Sequence, residues 1–215
     1  MNSSVIEKTA NHLKNHNIIL PKISELANPL SISNEIQKKL KRIDKNAADP
    51  INLFRVHWHN NKDHSSFRET PEYVVLPSEL TGVDAKIIVN IGRLFPLITA
   101  HKVLAAYGCL LPRLLNGEFD ITRHRAVWPS TGNYCRGGVA ISKILGCKSI
   151  AILPEGMSKE RFKWLEGWVS SPEDIIKTPV SYTHLRAHEK LRNLVCRLLL
   201  EKKKGGGGGG GGGGG

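Results

Sequence analysis

The feature that most constrains this chain is a strand–turn–helix run that occurs twice in close succession between Arg125 and Trp168. Arg125 to Trp128 is a short apolar run ahead of Pro129. A helical pattern then begins at Tyr134, with Val139, Ile141, Ile144 and Leu145 on one side, and Gly146 closes it. Lys148 to Leu153 reads as the next strand, and Ser158 as the N-cap of a helix reaching Trp168. Strands joined through helices by short loops run parallel, so the pattern predicts an α/β fold with a parallel sheet. Gly137-Gly138 inside the first helix permits close packing on the sheet or on a bound group.

Between strand and helix lies Pro129-Ser130-Thr131-Gly132-Asn133. A turn at the carboxyl end of a parallel strand, opening a helix, is where α/β proteins place ligands. The first-turn N–H groups there lack partners and attract anions. Ser130, Thr131 and Asn133 add side-chain donors, and Gly132 lets a ligand approach the backbone. Lys102 stands 28 residues upstream, where the apolar run Lys86 to Ile91 has given way to a helix carrying Val103, Leu104, Leu110 and Leu111. A lysine capping that helix by snorkelling is the plainer alternative. Against it, a cation at a helix N-terminus opposes the helix dipole. A lysine facing a carboxylate-binding turn suits Schiff-base chemistry. His101 beside it is a second candidate for proton transfer, although neighbours on a helix point in different directions.

These residues resemble the pyridoxal-phosphate-dependent cysteine synthase and tryptophan synthase beta-like family (fold type II). The resemblance rests on the Pro96 to Lys102 segment, the Ser130-Thr131-Gly132-Asn133 turn, and Pro154-Glu155 followed by Met157-Ser158-Lys159-Glu160. Phe95 departs from it, standing where the family often has Asn before Pro, and is expected to change what packs beside the cofactor. The resemblance implies that Lys102 holds pyridoxal 5'-phosphate and is the catalytic acid and base. It implies that Asn133 also binds the cofactor, and that Ser130, Thr131, Gly132 and Asn133 receive the substrate's α-carboxylate. The implied activity is β-replacement or β-elimination on a small amino acid of serine, acetylserine or cysteine type, by a lyase or transferase that is a homodimer at full length. The family's glycine-rich phosphate loop, and the Ser or Thr that meets the pyridine nitrogen, have no counterpart in residues 1–179. The chain is therefore expected to be an N-terminal fragment, inactive by itself.

The last 36 residues carry no fold signal. Val180 to Glu201 resembles translated sequencing adapter, and Lys202-Lys203-Lys204 with the glycines to Gly215 is what poly-A and poly-G encode. A basic helix with a flexible glycine linker is the alternative. Setting 180–215 aside lowers the net charge from +12 to +7, with 24 Lys and Arg against 17 Asp and Glu. That balance does not favour nucleic acid as a partner, since the one basic cluster, Lys38-Lys39-Lys41-Arg42, reads as a solvated helix face. Cys109, Cys135 and Cys147 match no paired zinc spacing, and their odd number suits a reducing compartment. With no signal-peptide pattern and no apolar run of membrane-span length, a soluble cytoplasmic protein is expected.

Residues 1–72 read as a helical and loop extension, 73–102 as the first strands of a large domain with the lysine loop, and 103–179 as an incomplete small α/β domain. In the extension, Ile36, Leu40 and Ile43 recur at helical spacing after a Ser33-Asn34-Glu35 start. His57 and His59 would share one side of a strand, with His64 behind, which invites a metal site. No acidic or cysteine partner sits at ligand spacing, so packing histidines and no metal are predicted. Tyr73 to Pro77 and Lys86 to Gly92 read as strands around a Ser78–Gly82 turn, Pro112 as a kink or stop in the lysine helix, and Ser170 to Thr178 as a loop. Two other readings stay open: a non-catalytic or regulatory member of the same fold, and a basic nucleic-acid-binding α/β domain.

Overall fold

The two strand–turn–helix units are the centre of the molecule. β3 (Arg125–Pro129), α7 (Asn133–Leu145), β4 (Lys148–Pro154), α8 (Lys159–Glu166) and β5 (Ile175–Thr178) follow one another. The strands form one parallel sheet in the order β3-β4-β5, with Val127 opposite Ile150 and Ile152 opposite Ile176. The computed structural model describes residues 2–179, and the adapter-like stretch 180–215 lies outside the described residues. The chain is thus a mixed α/β protein with a small parallel sheet. Along β4 the buried residues Ser149, Ala151 and Leu153 alternate with half-buried ones, as a strand with one face on the core requires. Gly146 ends α7 in the left-handed conformation, φ +71°, as its position predicts.

Ahead of this unit come α1 (Ser3–Asn15), α2 (Ile23–Ala27), α3 (Asn34–Leu40), β1 (Tyr73–Leu76), α4 (Ser78–Thr81), β2 (Ile87–Asn90), α5 (Pro96–Thr99) and α6 (Lys102–Leu115). β1 and β2 pair antiparallel, Tyr73 opposite Asn90, apart from the parallel sheet. One apolar core runs from Ile18 through α6, β3, α7 and β4 to Leu165. A smaller cluster of Ile32, Ile36, Leu40 and Phe54 lies under the N-terminal segment. Ser33 caps α3, its Oγ accepting from the Ile36 N–H at 3.4 Å. α1 is tied down one turn apart: Lys8 Nζ reaches Asp120 at 3.3 Å, and His12 Nε2 donates to the Leu145 carbonyl at 2.9 Å, at the end of α7. Among the described residues no helix is long and apolar enough to cross a membrane.

Several sequence expectations need correction. Ile175–Thr178 is a strand rather than a loop. Four residues carry too little periodicity to announce it, and its pairing partner Ala151–Pro154 is over twenty residues away. The Ser78–Gly82 turn is one helical turn closed by Gly82 at φ +66°. Pro112 neither ends α6 nor divides it: the helix runs on to Leu115, and both Pro112 and Gly108, whose carbonyl loses its partner, face solvent. α8 stops at Glu166, short of Trp168.

The histidine stretch is not a strand. Pro50–Arg55 is a 3-10 helix, and the loop after it is closed by an Asn60–Phe67 bridge. His57 packs edge-on against Phe67, ring centroids 4.8 Å apart, and is buried. The organiser here is Arg55, which is buried. Its Nη2 donates to the Leu40 carbonyl at 2.6 Å, its Nη1 to Ile43 O and Asn52 Oδ1, and its Nε to His64 O at 2.9 Å. A buried guanidinium satisfied by backbone carbonyls stitches residues 40–64 into one rigid block.

Candidate functional site

The residues singled out from the sequence sit at the amino ends of α6 and α7. Lys102 is the first residue of α6 and is exposed. Asn133 is the first residue of α7 and is exposed, Ser130 and Gly132 are half-buried, and Thr131 is exposed. The two helices meet here at backbone distance. A Cβ on Gly137 would stand 2.9 Å from the Lys102 carbonyl oxygen and 3.1 Å from the Val103 Cα. Asn133 precedes Gly137 by four residues and so lies one turn higher on the same face of α7, about 6 Å along the axis. The face of α7 that carries Asn133 is therefore the face that meets the start of the lysine helix. Any side chain at position 137 would push the two apart.

The other face of the turn is held by the sheet. Ser130 N–H donates to Ile152 O at 3.2 Å, extending the β3–β4 ladder by one residue. Gly132 N–H then donates to Ser130 Oγ at 3.4 Å, and α7 opens with Arg136 N–H on Gly132 O. No side-chain cap closes this helix end, and no acidic residue stands in its first turn. Trp128, the strand residue beneath, is buried, donates its Nε1 to Ser142 Oγ at 3.0 Å and meets Tyr134 edge-on. Gly138 leaves room for that indole.

Sequence reasoning missed Arg161. From α8 its Nη1 donates to the Thr131 carbonyl at 3.1 Å and would lie 3.7 Å from a Cβ on Gly132. Its signal was its place directly after Met157-Ser158-Lys159-Glu160. Arg136 is near by, its guanidinium 4.4 Å over the Trp164 ring, and burial together with Arg161 lowers its pKa from the usual arginine value. The ladder continues past the end of α8: Trp164 and Trp168 stack at 4.8 Å, and Lys143 stands 5.5 Å over Trp168. The turn is thus flanked by cations.

Three reactive side chains are set aside by their surroundings. Cys135 is buried, which pushes its thiol up to about 12, and burial pushes Cys147 up to about 11, so neither is a thiolate at neutral pH. His101 stacks on Trp58 at 5.4 Å, so its ring belongs to a packing contact. Phe95, the departure noted in the sequence, is fully buried and meets Trp58 edge-on at 4.9 Å. Among the described residues no group of three His, Cys, Asp or Glu is placed to hold a metal ion. Compared with known proteins, the sequence matches no family model and no curated protein.

Proposed function

We propose that Lys102 and the Ser130–Asn133 turn are the two halves of a pyridoxal-phosphate site, in an enzyme of the cysteine synthase type that performs β-replacement or β-elimination on a small amino acid. The observation that carries this reading is the approach of Gly137 to the Lys102 carbonyl, which joins the start of the lysine helix to the helix opened by the turn. The residues fit the group. The amine that would hold it is exposed at the head of α6, and the Asn133 amide is exposed on the facing helix, one turn beyond the close contact of Gly137 with the Lys102 backbone. When bound, the cofactor supplies an electron sink for charge developing at the substrate's α-carbon.

The chain's own residues then divide the work. The uncapped N–H groups of α7, with the Ser130 and Thr131 hydroxyls, bind the α-carboxylate, and the helix dipole and the Arg136 and Arg161 charges favour the anion. Asn133 orients the cofactor ring through its amide. Arg161 fixes the Thr131 carbonyl, so that the turn is preorganised rather than ordered by substrate. Lys102 Nζ holds the cofactor and moves the α-proton.

The test is chemical. The full chain is treated with a sub-stoichiometric amount of pyridoxal phosphate, reduced with borohydride, and its labelled lysines are mapped by peptide mass spectrometry. Lys102 is expected to carry at least about tenfold more label than the average exposed lysine, and Lys102→Ala to abolish that excess without raising labelling elsewhere. Label spread evenly over the exposed lysines would sink the assignment.

A further inference from the structure

The approach to Lys102 is strained, and the strain is held from outside. Leu97 has φ +68° and ψ −56°, and Thr99 has φ +51°. Both are non-glycine residues in backbone regions that L side chains rarely enter, least of all a β-branched one. Such a segment stays in place only if its surroundings over-determine it. The Leu97 side chain is buried, and its N–H donates to Lys45 O at 3.1 Å. The two ends of the segment meet one indole, because Trp58 stands edge-on to Phe95 and parallel to His101, with 20° between the ring planes.

Lys45 and Trp58 both lie in the N-terminal extension, which sequence reasoning left without a role. That block is anchored independently of the lysine loop. Asn52 Nδ2 donates to Asp44 O and Ala47 O at 2.9 Å each, fixing the turn that presents the Lys45 carbonyl. Arg55 ties Leu40, Ile43 and His64 together, and Lys45 Nζ donates to His64 Nε2 at 2.9 Å. The grip on the loop thus comes from a pre-ordered body.

We infer that residues 44–58 are a brace that holds the segment Phe95–Lys102 in its strained conformation, with Trp58 as the positioning residue that sets the head of α6. The catalytic meaning of this brace rests on the reading of Lys102 above, whereas the brace itself rests on the geometry alone. Trp58 acts through its ring contacts with Phe95 and His101.

The experiment compares the full chain with Trp58→Ala and Trp58→Phe by amide hydrogen exchange, reading peptides across residues 95–104, with α7 and β4 as internal controls. The pyridoxal-phosphate labelling of Lys102 is measured on the same samples. Trp58→Ala is expected to speed exchange at residues 97–102 at least tenfold and to lower the Lys102 share of label about fivefold, with α7 and β4 unchanged. Trp58→Phe keeps a ring against His101 and is expected to restore most of both. Unchanged exchange at 97–102 in Trp58→Ala overturns the brace, even if Lys102 labels selectively. If exchange responds but label never concentrates on Lys102 in the unsubstituted chain, the brace stands and the cofactor reading falls. Should Trp58→Ala lose protection throughout, Trp58→Phe and Trp58→Leu decide, since both keep apolar bulk and only one keeps a ring. Equal exchange at 97–102 in that pair overturns the proposal.

Discussion

Gly138→Ala is expected to destabilise the chain by about 3 kcal/mol or more, a large part of an ordinary protein's stability. A Cβ at position 138 would lie 1.9 Å from Trp128 Cδ2 and 2.4 Å from Cε2 and Cε3. The indole cannot swing away. It is 2% exposed, its Nε1 is bonded to Ser142 Oγ on the same helix, and Tyr134 closes its other side. Either α7 lifts off the parallel sheet or the largest core side chain leaves its place. Both costs exceed the small helix-propensity gain of alanine over glycine, about 1 kcal/mol. Urea denaturation followed by circular dichroism reads the effect directly. A loss below about 1 kcal/mol would mean that helix and strand are not packed as described. Trp128→Leu in the same chain is expected to recover part of the loss, because it removes the ring that the new methyl meets.

Acid is expected to weaken the fold well above the carboxylate range. Burial, and to a lesser extent the neighbouring His59, lowers the pKa of His57 to about 3. Burial and the charges of Lys45 and Arg55 lower that of His64 to about 4. Both rings are therefore neutral in the folded chain at pH values where the unfolded chain has already protonated them. The unfolded state binds more protons below the ordinary histidine value of about 6.5, so stability falls as pH drops through that value. The loss continues toward the folded-state values, and above pH 6.5 neither ring contributes to the pH dependence. For His57 the slope is about 1.4 kcal/mol per pH unit, or about 2 kcal/mol between pH 7 and pH 5. His64 is only half-buried and adds to the direction. Denaturation midpoints at pH 7 and pH 5, for the chain and for His57→Gln, supply the check. If the variant and the parent lose the same stability over that interval, His57 is not a buried neutral ring.

The parts of the fold that were legible in the sequence are those written in neighbouring residues. β3, the turn, α7 with its Gly146 terminus and β4 all follow from local pattern, because short loops force each element beside the last. Gly137-Gly138 announced a close approach, and the structure supplies both partners, Lys102 on one side and Trp128 on the other. What could not be read depends on contacts between distant segments. β5 is a strand because β4 offers it an edge. Arg161 matters because α8 brings it back over Thr131. The His57–His59 stretch looked like a strand, but a guanidinium that recruits carbonyls from Leu40 to His64 overrides local preference there. Of the candidate site, the residues were legible; their support was not. No spacing in the sequence links Trp58 to His101, or Lys45 to Leu97.

The stacked tryptophans at the end of α8, Trp164 within it and Trp168 just beyond, also make the chain optically informative. The indole planes of Trp164 and Trp168 are nearly parallel, 14° apart, and each lies under a cation. Two such chromophores at 4.8 Å are close enough for their strong far-ultraviolet transitions to couple, so circular dichroism there is expected to respond to the geometry of the pair. Arg136 and Arg161, the cations beside the turn, belong to the same corner of the molecule. If an anion settles at the turn as proposed, it is expected to perturb the Arg136 guanidinium over Trp164, so the indole signals can be followed while ligands are added, with no label attached.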